Sequence, residues 1–265
     1  MYTKDLFGKL SPPGYRVKKG WYKFEGVEAE TPSVTTINKV LNKFQLIPWA
    51  AWCEREFVTK IAADVHDNYR YSSRDSYLVS LGMKLGRGYG YTNEISRTQK
   101  IGVETHAAIE AFLKDGTVSE CALFGKWKKW WDEMVHGGLQ QYVLEQTLYS
   151  PRYNFAGTAD LIGQRGEGTI IIDWKTSEEV RIEQIIQIGG YHEALKDRTG
   201  IEAEGCVVCV PREEDQPVKA TYFTAAEAGQ LGKIFLAVKA AWEAEREAQG
   251  ILKAVKKRGK AGNVG

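Results

Sequence analysis

The sequence predicts an α/β protein: a central mixed β-sheet flanked by helices, with an N-terminal helical lobe. Three observations predict it. Apolar residues recur at helical spacing through most of the first 135 residues, then switch to a period of 2 from about Tyr142. From there the elements read as three strands, a helix, two strands and a helix, the order of a helix-covered sheet. The composition is globular, with 265 residues, 43% hydrophobic and 26% charged, which is enough to bury a full core without covalent staples.

The elements follow in order. Tyr15–Val17 and Trp21–Phe24 read as a small hairpin across Lys19-Gly20. Thr31-Pro32-Ser33 opens a helix through Leu41, and Ile47-Pro48 starts another that carries Trp49, Trp52, Phe57 and Ile61 at helical spacing. Residues 66–93 are polar and rich in Tyr, Arg and Gly, which suggests a loop or a loose helical excursion. A helix from about Glu94 to Leu113 ends at Asp115-Gly116. The next runs from Ser119 to about Val135, with Leu123, Trp127, Trp130 or Trp131, and Met134 on its buried face.

Tyr142–Tyr149, Phe155–Ile162 and Thr169–Trp174 then alternate as strands, the last two joined at Gly166-Glu167-Gly168. A helix spans about Glu178–Leu195, strands cover Gly205–Val210 and Val218–Phe223, and a final helix covers Ala225 to about Ala248. The expected organisation is an N-terminal hairpin and helical lobe over 1–100, a core over 101–252, and a basic flexible tail over 253–265.

The net charge of +2 conceals an uneven distribution. Residues 1–100 hold 16 basic and 10 acidic groups, whereas 101–200 hold 10 basic and 15 acidic. Four cysteines, Cys53, Cys121, Cys206 and Cys209, are too few and too scattered for a disulfide framework, which points to a reducing compartment. No apolar run approaches the ~20 residues of a membrane span. The start has no apolar signal segment, and Pro12-Pro13-Gly14 breaks any transit helix. The expectation is a cytoplasmic protein that has no membrane partner.

The informative chemistry lies in Gly157-Thr158-Ala159-Asp160-Leu161-Ile162 and Ile170-Ile171-Ile172-Asp173-Trp174-Lys175. Strand alternation puts Asp173 and Lys175 on one face and Trp174 on the other. Pairing of the two strands brings Asp160 alongside. Two carboxylates and an ammonium then converge where an apolar strand ends. Like charges buried together call for a cation between them, and a hard divalent ion meets that need. Lys175 would orient or help deprotonate an attacking water, or offset charge on a phosphate. An isolated Asp-x-Lys is commonly just an exposed ion pair.

Other residues extend the set. Gln187 and Tyr191, four apart, share a helix face, as do His106 and Glu110. Glu145 lies mid-strand, as either a solvent-facing residue or a third carboxylate. Gly157 before Thr158 permits a close backbone approach.

His106, Asp160, Asp173, Lys175, Gln187 and Tyr191 stand in an order and spacing that resembles the PD-(D/E)XK nuclease superfamily, within it the RecB-type exonuclease branch. Thr31-Pro32-Ser33-Val34-Thr35-Thr36-Ile37, followed by Trp49, looks like the entry to nucleases similar to the mitochondrial genome-maintenance exonuclease and its phage relatives. The resemblance implies a restriction-endonuclease-like core and a metal-dependent DNA exonuclease of a bacterial or phage-infected cell, with roles in recombination or repair among its relatives. It implies that Asp160, Asp173 and the Trp174 backbone carbonyl bind Mg²⁺ or Mn²⁺, with His106 a further ligand, Glu145 an additional carboxylate, and Lys175 the catalytic lysine. Gln187 and Tyr191 would guide the DNA strand.

Some relatives carry an iron–sulfur cluster on four cysteines. Here Cys206 and Cys209 sit three apart in a predicted strand and face opposite sides, so no cluster is expected. Tyr69, Arg70, Arg87 and Tyr89 interleave aromatic and cationic groups, which could stack on bases and neutralise phosphates of a strand fed by a free end; the other reading is a surface loop. Two further functions stay open: a catalytically silent DNA-end-binding protein, and a structure-specific endonuclease.

Overall fold

The computed structural model describes residues 1–4, 6–42, 46–68, 90–135 and 138–261. The chain forms two compact units, Met1–Leu41 with Thr105–Gly265, and Asn42–Glu104. The second unit holds α2 (Leu46–Asn68) and the first part of α3 (Gly90–Asp115). Among the described residues no helix is long and apolar enough to cross a membrane.

The larger unit is built on a five-stranded sheet in the order β4 (Leu139–Ser150), β5 (Phe155–Arg165), β6 (Gly168–Lys175), β7 (Glu204–Cys209), β8 (Lys219–Phe223). All neighbours are antiparallel except β6 and β7. That parallel pair requires a crossover, which α5 (Ile182–Thr199) supplies. The mixed sheet with flanking helices is the architecture expected from the change of period.

The two faces of β6 are filled differently. On one, Ile171 joins Ile162, Val207, Ile188 and Leu195 in the main core under α5. On the other, Trp174 meets Trp127 of α4 (Ala122–Val135) edge-on at 5.6 Å, with Trp130 and Trp131 also against it. The strand therefore positions Asp173 and Lys175 under α5 while Trp174 anchors the opposite face.

The N-terminal segment belongs to this unit. β1 (Gly14–Lys18) and β2 (Trp21–Phe24) pair as the expected hairpin, and β3 (Thr31–Pro32) adds a third strand. Tyr22 and Phe24 are buried against Tyr149 and Ala156 of the large sheet, with the Phe24 and Tyr149 rings 4.7 Å apart. α1 (Val34–Asn38) starts at Ser33, whose Oγ accepts the Thr36 N–H at 3.1 Å. Its Val34 and Ile37 are fully buried in the main core. Residues 1–41 thus pack with the core, not as part of a separate lobe extending to residue 100.

The last helix, α6 (Ala225–Ala261), also differs from expectation, because it continues through most of the stretch read as a tail. Its Ala-, Lys- and Arg-rich composition favours helix, and no proline interrupts it. Cys206 and Cys209 are buried in β7, and all four cysteines are free thiols.

α5 and α6 cross at Gly189, where a Cβ would lie 2.3 Å from the Leu231 carbonyl carbon and 2.5 Å from Gly232 N. The obstructing atoms are backbone, so no rotamer change relieves the clash. Gly189→Ala is expected to destabilise the protein by about 1–3 kcal/mol, the cost of overpacking. At Gly250, also in α6, nothing lies within 4 Å. There Gly→Ala is expected to stabilise by about 0.5–1 kcal/mol through helix propensity. Urea unfolding of the two variants measures both signs.

Candidate active site

The site forms where the β5–β6 ladder stops. Pairing runs from Arg165↔Gly168 to Leu161↔Ile172 and ends there. The next positions on each strand are Asp160 and Asp173. In place of a ladder bond, the Trp174 N–H donates to Asp160 Oδ2 at 2.7 Å. The Lys175 carbonyl accepts from Val210 N on the β7 side. Alternation along the strand therefore turns the Trp174 carbonyl, like its N–H, to the Asp160 side.

Asp173 is 1% exposed. Its Oδ1 accepts from Gln187 Nε2 at 3.3 Å, and Oδ2 is ion-paired with Lys175 Nζ. Asp160 Oδ1 lies 3.4 Å from His106 Nδ1, carried by α3. Glu145 reaches the same point from β4. One ligand atom each from His106, Glu145 and Asp160 lie within 4.8 Å of one another. That donor set, one imidazole and two carboxylates, suits a divalent cation with nitrogen and oxygen ligands. Asp173 stands beside this trio, with both its oxygens held by Gln187 and Lys175.

The electrostatics follow from the crowding of acids. Burial pushes the Asp173 carboxyl up to about 6, with Asp160 adding repulsion and Lys175 opposing both. Partial desolvation raises Glu145 to about 7, again with Asp160 contributing. Burial also acts to raise Asp160, but His106, Lys175 and the Trp174 N–H outweigh it and hold the group below its ordinary value. Burial would lower Lys175 and His106, yet each is raised, Lys175 chiefly by Asp173 and His106 chiefly by Asp160. The neighbouring carboxylates thus favour the protonated form of both groups.

Glu145 has a second peculiarity. The pairs Leu144↔Leu161 and Gln146↔Ala159 flank it, but Glu145 itself makes no ladder pair with Asp160 and takes a left-handed φ of 48°. Such a backbone is costly for a residue with a Cβ, and it aims the carboxylate at Asp160 and His106.

Gln187 and Tyr191, expected to guide DNA, are 8% and 2% exposed. Gln187 donates to both Asp173 and the Tyr191 hydroxyl, so the pair holds Asp173 in place. Burial raises the Tyr191 phenol well above its ordinary value, so it stays neutral. Gly157 makes room for this arrangement, since a Cβ there would lie 2.5 Å from the Tyr191 ring. Tyr69, Arg70, Arg87 and Tyr89 lie outside the described residues.

Sequence reasoning missed the contribution of the N-terminal hairpin. The Arg16 guanidinium donates to the Tyr22 hydroxyl at 3.2 Å, and that hydroxyl meets Thr158 Oγ1 at 3.0 Å, two residues from Asp160. The one available signal was the basic excess before residue 100, which did not indicate which cation reaches the site.

No protein-family model matches the chain, and no curated protein matches it in sequence. Among solved structures, an alkaline exonuclease from Laribacter hongkongensis is similar at 16% identity and a TM-score of 0.31, over 64% of this chain and 88% of that one. The same exonuclease in complex with dAMP is similar at 17% identity and a TM-score of 0.32, over 74% and 91%.

The left-handed backbone at Glu145 gives a sharp expectation. Glycine at this position should be more stable than alanine by about 1 kcal/mol, the reverse of the usual order inside a strand. Chemical unfolding of Glu145→Gly and Glu145→Ala makes the comparison with the carboxylate absent from both variants.

Proposed function

We propose that this protein is a metal-dependent DNA exonuclease that hydrolyses phosphodiester bonds from DNA ends. The observation that carries the reading is the convergence of His106, Glu145 and Asp160 donor atoms beside a buried Asp173–Lys175 ion pair. A plain structural ion pair does not need three more ionisable groups gathered against it, two of them like-charged. A cation site does.

His106, Glu145 and Asp160 would hold Mg²⁺ or Mn²⁺, with Asp173 and the Trp174 carbonyl on the same side of the strand end. When bound, the ion supplies Lewis-acid stabilisation of charge on the reacting phosphate. Lys175 keeps its ammonium at the site through Asp173 and offers donors to a phosphate oxygen or to the attacking water. Gln187 fixes the Asp173 carboxylate and so the Lys175 head. Trp174, wedged among the tryptophans of α4, keeps the strand end from sliding. The reading extends the sequence resemblance to the residues that the fold gathers.

End-labelled linear DNA, single- and double-stranded, with a covalently closed circle as control, tests this in Mg²⁺ with and without chelator. The expected result is loss of label from linear DNA only, abolished by EDTA. Lys175→Ala is expected to slow cleavage by about 10²–10⁴, the range for a lost proton-transfer or charge-stabilising group, with an unchanged circular dichroism spectrum. Undiminished cleavage by folded Lys175→Ala rejects the assignment. Nicking of the circle would make the protein an endonuclease, and binding without cleavage in any divalent ion would make it an end-binding protein.

A further inference from the structure

A cavity of about 630 Å³ opens beside the candidate metal site, and Glu145 belongs to both. Its other walls come from the N-terminal segment, which supplies Lys9 and Arg16, and from β4 and β5, which supply Thr147 and Thr158. We propose that this cavity is a phosphate-binding subsite for the substrate strand, with Arg16 as its anchoring cation. The inference rests on the nuclease reading and deepens it by naming where the strand is gripped next to the chemistry.

The geometry supports an oxyanion ligand in three ways. First, Arg16 is exposed on β1, and its side chain donates one hydrogen bond among the described residues, to the Tyr22 hydroxyl. Its remaining donors form the planar fork that suits phosphate oxygens. The Tyr22 ring lies under the same guanidinium, 5.5 Å from its carbon, and limits the angles the fork can take. The group is held in place before a ligand arrives, which reduces the entropy lost on binding.

Second, hydroxyls continue from that cation toward the metal donors. Tyr22 Oη meets Thr158 Oγ1 at 3.0 Å, and Thr158 Oγ1 meets Thr147 Oγ1 at 3.2 Å. Arginine, lysine and hydroxyl side chains are the ordinary partners of a nucleic-acid backbone. Third, the cavity is continuous with the site through Glu145. A ligand filling it therefore reaches from Arg16 to Glu145, one of the three metal donors. A phosphodiester strand does this, because consecutive phosphates present one anion to Arg16 and Lys9 and another to the cation held by Glu145. A lone small anion would leave one end of the cavity unfilled.

Fluorescence anisotropy of a short 3′-labelled single-stranded oligonucleotide, in Ca²⁺ in place of Mg²⁺ and across a salt series, tests the subsite without needing turnover. Arg16→Ala is expected to weaken binding about tenfold and to reduce the slope of log Kd against log[salt] by about 0.7, the release expected for one single-strand phosphate contact. Arg16→Lys is expected to keep the slope while losing part of the affinity, because it keeps the charge and loses the fork. A hairpin held together by Arg16 for structural reasons alone would change the melting curve but leave the slope intact.

Comparing 5′-phosphorylated with 5′-hydroxyl oligonucleotides identifies the source of the anion. A loss confined to the phosphorylated strand assigns a terminal phosphate, and an equal loss assigns an internal one. Wild-type affinity and slope in Arg16→Ala with both oligonucleotides overturns the proposal. Absence of DNA cleavage by the wild-type protein in any divalent ion would instead overturn the nuclease reading, and the Arg16 result would stand apart from it.

Discussion

Asp160 and Asp173 face one another at the point where the β5–β6 ladder ends, and everything at the site answers that juxtaposition. Two carboxylates this deeply buried cannot both stay ionised without compensation, because desolvation and mutual repulsion act in the same direction. The protein supplies Lys175 to one and His106 to the other, and gives Asp160 the Trp174 N–H as well. The two acids consequently diverge, Asp160 being pulled below its ordinary value and Asp173 pushed up to about 6. A third carboxylate, Glu145, is then brought in against this balance at the cost of a left-handed backbone. Adding negative charge where it is already in excess raises the attraction for a cation.

The same juxtaposition explains the packing that surrounds it. A strand that loses one ladder partner at its end must be held by something else. For β6, one hold is the parallel ladder to β7, which runs through Lys175↔Cys209. The other is the insertion of Trp174 among Trp127, Trp130 and Trp131, where edge-to-face contacts fix the ring. On the opposite face, Gly189 lets α5 approach α6 at backbone distance and Gly157 makes room for the Tyr191 ring, so that Gln187 reaches Asp173 with the Tyr191 hydroxyl behind it. The glycines, the tryptophans and the parallel ladder serve one purpose, which is to hold an unfavourable cluster of acids in a fixed geometry.

Much of this was legible in the sequence for a local reason. The sheet, its crossover and the face shared by Asp173 and Lys175 all follow from period and alternation, which are properties of neighbouring residues. What the sequence left open depends on contacts between distant segments. Alternation alone could not say whether Glu145 faced solvent or the site, because a single left-handed residue sets its direction. Helical spacing put Gln187 and Tyr191 on one face, but only the close approach of α5 to β5 shows that this face is buried against Asp173. Composition does not separate a tail from the end of α6, because basic, Gly-containing sequence is shared by frayed ends and by exposed helices, and only the absence of a breaker favours the helix.

The N-terminal hairpin is where local reading fell furthest short, and the reason bears on how the site is assembled. Tyr22 and Phe24 look like ordinary alternating strand residues, yet they pack on Tyr149 and Ala156, and their burial carries Arg16 to the cavity beside Glu145. Before residue 100 the cation excess is spread over many lysines and arginines, so charge counting cannot rank them. What singles out Arg16 is that an apolar contact and a hydroxyl chain position it, whereas an unanchored surface cation would contribute only screened, weak attraction. A basic segment thus comes to lie beside an acidic cluster through hydrophobic packing, a juxtaposition that the near-neutral net charge of the chain conceals.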